Sequence, residues 1–176
     1  MKPRAIAMII PLLLAGTLSG CTRTTDPRPR PTARSYGPNV VHFDGVGDVG
    51  FGDTTAELTR RGLLAAQPGP CGPQLATLPS VSPVFASDRL VLLWAEPPTH
   101  TPEGVSVGTG IEDVRAAYPR AQELAAPAET YRFDGLLTRQ GDRAYLFLHD
   151  GKTVRKAIAG YAEYVQRLFN DGFGTC

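Results

Sequence analysis

Lysine is scarce in this sequence, and basic residues do not dominate it. Three lysines and 15 arginines stand against 17 acidic residues in a chain of 176. Residues 39–176 carry 12 basic and 16 acidic residues, a net charge of −4. Nucleic-acid contacts need clustered lysine and arginine, so we expect no nucleic-acid partner. The length excludes a large two-domain enzyme, because residues 39–176 suffice for the core of one ordinary domain.

Metal-binding motifs are also absent from the sequence. It has three cysteines and three histidines, but neither Cys-x-x-Cys nor His-x-x-x-His occurs. His42, His100 and His149 are far apart along the chain, whereas zinc ligands come in closely spaced pairs. We therefore expect no metal site.

The N-terminal residues have the order of an export signal. Lys2 and Arg4 precede the apolar run 5–15, and Leu18-Ser19-Gly20-Cys21 follows it. The run is shorter than the roughly 20 residues that a transmembrane helix needs. Residues 1–20 are therefore predicted to be a signal peptide.

The segment Leu18-Ser19-Gly20-Cys21 resembles the lipobox of bacterial lipoproteins. The resemblance implies cleavage between Gly20 and Cys21, attachment of diacylglycerol to the Cys21 sulfur, and acylation of the new terminus by a chain such as palmitate. Two acyl chains anchor a protein stably, at about 0.8 kcal/mol per buried methylene. We expect an exported protein, lipid-anchored to the outer face of the cytoplasmic membrane; an ordinary secretory peptide is the alternative.

Residues 21–38 are predicted to be a lipidated, flexible tether. They alternate proline with arginine and have almost nothing apolar to bury, which favours an extended, solvated chain. With Cys21 assigned to lipid, Cys71 and Cys176 remain as one disulfide pair that would persist outside the cytoplasm. Metal ligation is the competing interpretation of these two residues.

The body, residues 39–176, contains an internal repeat with an offset of 56. Residues 49–58 align with residues 105–114, and each copy runs from an extended piece through a glycine turn into a helix. Two capping boxes are predicted at these helix starts, Thr54 with Glu57 and Thr109 with Glu112.

Strand signals follow each of the two predicted helices. The predicted strands are 81–86, 90–94, 131–138, 144–149 and 154–159, and a helix from Tyr161 ends the chain. The sequence thus predicts an α+β fold, in which two helix-then-antiparallel-strand repeats form one sheet with helices on one face, plus a C-terminal helix.

Both copies open their helix with an acidic and an aliphatic residue after a glycine, Glu57-Leu58 and Asp113-Val114. This repeat resembles the tandem modules of β-lactamase-inhibitor proteins and of small envelope-assembly lipoproteins. Residues 101–119 also resemble exported proteins of actinobacteria, the high-GC Gram-positive bacteria. The resemblances imply a protein-binding or envelope role and assign no binding residue.

A glycine-rich motif, Gly45-Val46-Gly47-Asp48-Val49-Gly50, matches the dinucleotide fingerprint Gly-x-Gly-x-x-Gly. In that fingerprint the helix begins within the glycines, so that its N-terminus faces a pyrophosphate. Here the helix is predicted to begin only near Thr54, and Asp48 adds a negative charge. We interpret the glycines as turn residues and expect no cofactor.

A second motif, residues 104–108, matches the Gly-x-Ser-x-Gly of α/β-hydrolases. Asp134 or Asp142, and then His149, follow Ser106 in the hydrolase order. Against this, Val105 and Val107 alternate like strand residues, which favours an edge-strand serine. The leading hypothesis is a non-enzymatic surface lipoprotein that binds a protein or envelope component, with an inhibitor of a secreted enzyme and a small serine hydrolase using Ser106 as alternatives.

Overall fold

The computed structural model of the chain describes residues 36–69, 72–128 and 132–172. They lie in one compact unit, Ser35–Cys176. In this part of the chain three helices accompany a three-stranded and a six-stranded sheet, so the predicted α+β class is confirmed. The elements are β1 Val41–His42, β2 Gly45–Val46, β3 Val49–Gly50, α1 Thr55–Arg60, β4 Val81–Ala86, β5 Arg89–Ala95, α2 Ile111–Ala117, β6 Gln122–Leu124, β7 Asp134–Gln140, β8 Arg143–His149, β9 Val154–Tyr161 and α3 Ala162–Asp171.

The larger sheet has the strand order β4-β5-β9-β8-β7-β6, and every neighbouring pair is antiparallel. The predicted hairpin between β4 and β5 forms at Ser87 and Asp88, which both adopt positive φ, 48° and 61°. Two positive φ angles are what a two-residue type I′ turn needs. Gly141 and Gly151, at φ 61° and 87°, lie in the turns that separate β7, β8 and β9.

Apolar side chains cover both faces of this sheet. Tyr145 and Phe147 of β8 belong to the core cluster that also contains buried residues of α1 and α2. Leu146, which lies between them, belongs to the other cluster, with Val165 and Leu168 of α3. The helices of the two repeats thus share one face, as predicted, and the C-terminal helix covers the other. Full burial of each such side chain stabilises the fold by about 1.5–3 kcal/mol.

The internal repeat is a structural repeat. Gly52 and Gly108 occupy equivalent positions and have nearly the same φ, 94° and 93°. The N–H of Gly50 donates to the Asp53 carboxylate at 2.9 Å, and in the second copy the N–H of Ser106 donates to the hydroxyl of Thr109 at 3.0 Å. The same four-residue turn therefore precedes both helices.

Each repeated turn contacts the beginning of a central strand. The N–H of Gly52 donates to the carbonyl of Leu90 in β5, and the N–H of Gly108 donates to the carbonyl of Val154 in β9, both at 2.9 Å. Strands β5 and β9 are antiparallel neighbours. The two copies therefore make equivalent contacts with neighbouring antiparallel strands in the middle of the sheet.

The two helix caps differ between the copies. Thr54 and Glu57 form the predicted capping box at α1, with both reciprocal hydrogen bonds present. The box predicted for Thr109 and Glu112 is wrong, because α2 begins one residue later and has Gly110 at its N-cap. The Thr109 hydroxyl instead accepts the N–H of Ser106 in the preceding turn.

The glycine-rich segment 45–50 forms β2 and β3, which build a small sheet with β1 that the sequence did not predict. Gly45 has φ 145°, and a Cβ added there would lie 1.9 Å from the carbonyl oxygen of Val49. The segment contains no helix, since α1 begins at Thr55. Gly47, at φ 53°, is a turn residue as predicted, whereas Gly45 and Gly50 lie in the strands.

Candidate functional site

A groove of about 340 Å³ lies at one edge of the larger sheet. It exists because β6 is shorter than β7. The register of the pair ends where Gln122 faces Leu137, so residues 138–140 of β7 have no strand beside them on that side. The groove is lined by Arg120, Gln122, Leu137, Thr138 and Arg139.

The chain reaches this groove from the end of α2. Tyr118 caps that helix, and its buried ring stacks on Phe147 with the centroids 5.4 Å apart. Its hydroxyl donates to the Glu103 carboxylate. Burial is the larger cause, and this hydrogen bond the smaller cause, of the raised pKa of the Tyr118 hydroxyl. The N–H of Ala121 donates to the Tyr118 carbonyl and closes a turn. This turn places Arg120 at the groove.

The groove carries two positive charges that have no ion-pair partner in the described part of the chain. Arg120 is exposed and forms no salt bridge there, and the guanidinium of Arg139 donates to the neutral Gln166 amide oxygen at 2.8 Å. Nearby, Arg115 is paired with both Glu112 and Glu123. Hydrogen bonds with Glu123 and Glu112 raise the pKa of Arg115. Glu123, the acidic residue on β6, is thus already compensated.

The sequence did not identify Arg120 and Arg139. They are 19 positions apart and come together only through the register of β6 on β7. The sequence signal available for them was the arginine that directly follows Pro119, beyond the end of a helix. That arginine can be recognised as part of a site only when the strand beside it, β7, is known.

The residues of the predicted serine-hydrolase set do not form a hydrogen-bonded chain. The hydroxyl of Ser106 donates to the Val107 carbonyl at a long 3.4 Å. Nδ1 of His149 accepts the N–H of Gly151 at 3.2 Å, and its Nε2 has no partner among the described residues. Asp134 accepts the N–H of Ala126.

The turn that contains Ser106 also lacks the strand predicted for it. No strand covers residues 105–107, and Ser106 is the first residue of the repeated turn. Gly108, the last residue of the motif, lies in the contact with Val154. Asp142, the other candidate acid, pairs with Arg143.

Neither His149 nor His100 is fully exposed. His149 is 4% exposed at the end of β8. His100 is half-buried, with Nδ1 2.8 Å from the carbonyl oxygen of Thr101. Among the residues that the structure describes, no group of three His, Cys, Asp or Glu side chains is placed to hold a metal ion.

The predicted processing and disulfide residues lie outside the described residues. Gly20, Cys21, Cys71 and Cys176 all fall there, so lipidation, cleavage and disulfide pairing stay predictions. Within ranges 36–69, 72–128 and 132–172, no helix is both long and apolar enough to cross a membrane.

Comparison with known proteins adds no relative to this description. None of the protein families, curated proteins or solved structures compared with the chain matches it.

Proposed function

We propose that the protein is a membrane-anchored surface lipoprotein whose body is a non-enzymatic recognition module for a protein or envelope component. The single observation that carries the binding role is the groove at the β6–β7 edge, with Arg120 and Arg139 beside a stretch of β7 whose outer edge has no neighbouring strand. A strand edge offers backbone hydrogen bonds to a partner, and unpaired guanidinium groups add specificity.

The lipobox-like segment and the tether supply the anchoring half of the proposal. Acylation of Cys21 would fix the chain to lipid, and the Pro/Arg segment 21–38 would hold the body away from the bilayer by up to about 3.1 Å per residue. The test is fractionation of cells that express the full chain or a Cys21→Ser variant. We expect the variant to leave the membrane fraction, and its retention there would contradict lipid anchoring.

The binding role is tested by crosslinking and capture from native membranes. The negative control is Gly160→Val, a variant whose body should not fold. A Cβ at Gly160 would lie 2.3 Å from the backbone oxygen of Val91 and so disrupt the central strands. We expect one reproducible protein partner with the wild-type chain and none with the control. Capture of lipid or cell-wall material alone would contradict a protein partner and favour an envelope component.

The two alternatives remain separate proposals with their own tests. An inhibitor of a secreted enzyme would lower that enzyme's activity at stoichiometric amounts of the chain. A serine hydrolase using Ser106 would be labelled by a fluorophosphonate probe, and Ser106→Ala would abolish the label. We expect no labelling of the folded chain, because the Ser106 hydroxyl donates to Val107 and not to His149.

A further inference from the structure

We propose that the groove takes an acidic segment of a partner protein in extended conformation, which adds as a short strand to the open edge of β7. The inference rests on the proposed recognition function and names the class of its partner. The carboxylate of the segment would lie between the guanidinium groups of Arg120 and Arg139.

The backbone of β7 provides the first part of this site. On its inner side β7 pairs with β8 as far as Gln140, which faces Arg143. On its outer side the pairing with β6 stops at Leu137. The three residues beyond that point span about 10 Å, at roughly 3.3 Å per residue. An exposed edge of this kind is a template for an added strand.

The charges around the edge select an acidic segment. Arg120 and Arg139 have no carboxylate partner in the described ranges, and Glu123 is already paired with Arg115. Arginine binds carboxylates through strong, often bidentate, charge-assisted hydrogen bonds. Because residues 39–176 carry a net charge of −4, the two arginines form a local feature rather than part of a generally basic surface.

Neither the other edge of the sheet nor another occupant fits as well. The opposite edge strand, β4, is a poorer template for an added strand because Pro83 lacks a backbone N–H. The chain's own residues 21–38 are rich in arginine and would repel Arg120 and Arg139. An anionic lipid headgroup matches the charge, but it has no peptide backbone to pair with residues 138–140.

The test uses the full chain, purified in detergent, to select from a displayed library of random heptapeptides. Three proteins are compared: wild type, the double variant Arg120→Ala/Arg139→Ala, and Arg60→Ala, an exposed arginine of α1 as the matched control. The fluorescence of Trp94, the single tryptophan, verifies that each variant is folded. Phosphatidylglycerol vesicles are the second probe.

We expect wild type and Arg60→Ala to enrich peptides rich in Asp and Glu, and the double variant to bind the best of them at least tenfold more weakly. The bound peptide should also slow hydrogen exchange at residues 138–140. Acidic peptides that bind the double variant equally well would overturn the inference. So would vesicle binding that needs both arginines when no acidic peptide binds.

The outcomes separate this inference from the proposed function. If neutral peptides are enriched and bind without the two arginines, the recognition role stands and the acidic-strand site is wrong. If no peptide is enriched and no partner is captured from membranes, both fail.

Discussion

The difference between the two helix caps leads to a quantitative prediction about stability. Thr54→Ala removes the hydroxyl that accepts the Glu57 N–H at 3.2 Å and that donates to the Glu57 carboxylate at 2.8 Å. Loss of an N-cap threonine costs about 1 kcal/mol. For a domain of this size that corresponds to a fall of about 4 °C in Tm.

The equivalent position in the second repeat predicts a change of opposite sign. Gly110 has φ −61° and ψ 141°, so it is an extended N-cap residue that lacks a side-chain oxygen. Gly110→Ser supplies one and should stabilise the protein by a few tenths of a kcal/mol. An added Cβ would lie 3.0 Å from the carboxylate of Asp113, an exposed side chain that is able to move away.

Urea unfolding followed by Trp94 fluorescence measures both effects. Thr59→Ala is the matched control, because Thr59 is an exposed residue of the same helix. We expect Thr59→Ala to be neutral or slightly stabilising, since alanine has the higher helix propensity. Equal free energies of unfolding for Thr54→Ala and Thr59→Ala would refute the assignment of the cap.

Two further predictions concern a turn and the pH dependence of stability. Gly108→Ala should lower the free energy of unfolding by about 1–2 kcal/mol, because φ is 93° there. Urea titration measures the effect, with Gly37→Ala as the control. Equal urea midpoints for the two variants would contradict the prediction. A backbone hydrogen bond from Thr153, and then one from Lys152, lowers the pKa of Asp150 in the folded state. Its contribution is therefore complete above the ordinary carboxyl pKa of about 4 and is lost as the pH falls through the lowered value. Asp150→Asn should reduce the change of the urea midpoint between pH 2.5 and pH 6. A pH dependence equal to that of the wild type would show that Asp150 does not contribute to it.

The sequence predicted the central fold because its strongest local signals agree with the tertiary structure. The 56-residue offset relates Gly52 to Gly108 and the first residue of α1 to that of α2. The same alignment places Gly110 opposite Thr54, and it was the better guide to the second helix start. The Thr109–Glu112 spacing misled because a threonine hydroxyl satisfies a turn as readily as a helix cap.

Other features had weak or no local signals. The strands β1–β3 have two residues each, too few to show alternation. The burial of both sheet faces had a usable signal, since continuous apolar runs such as 90–93 and 144–148 indicate strands covered on both sides. The groove had only the arginine after Pro119 as a local signal, because Arg120 and Arg139 meet only through the pairing of Gln122 with Leu137.

Site-specific photo-crosslinking in native membranes tests the central claim most directly. A photoreactive residue replaces Gln140, an exposed residue at the end of β7 beside the groove, or Ala116, an exposed residue of α2, in the full chain. The account predicts a discrete protein adduct from position 140 and none from position 116. The same adducts from both positions, or adducts with lipid alone, would contradict a recognition site for a protein partner at the β6–β7 edge.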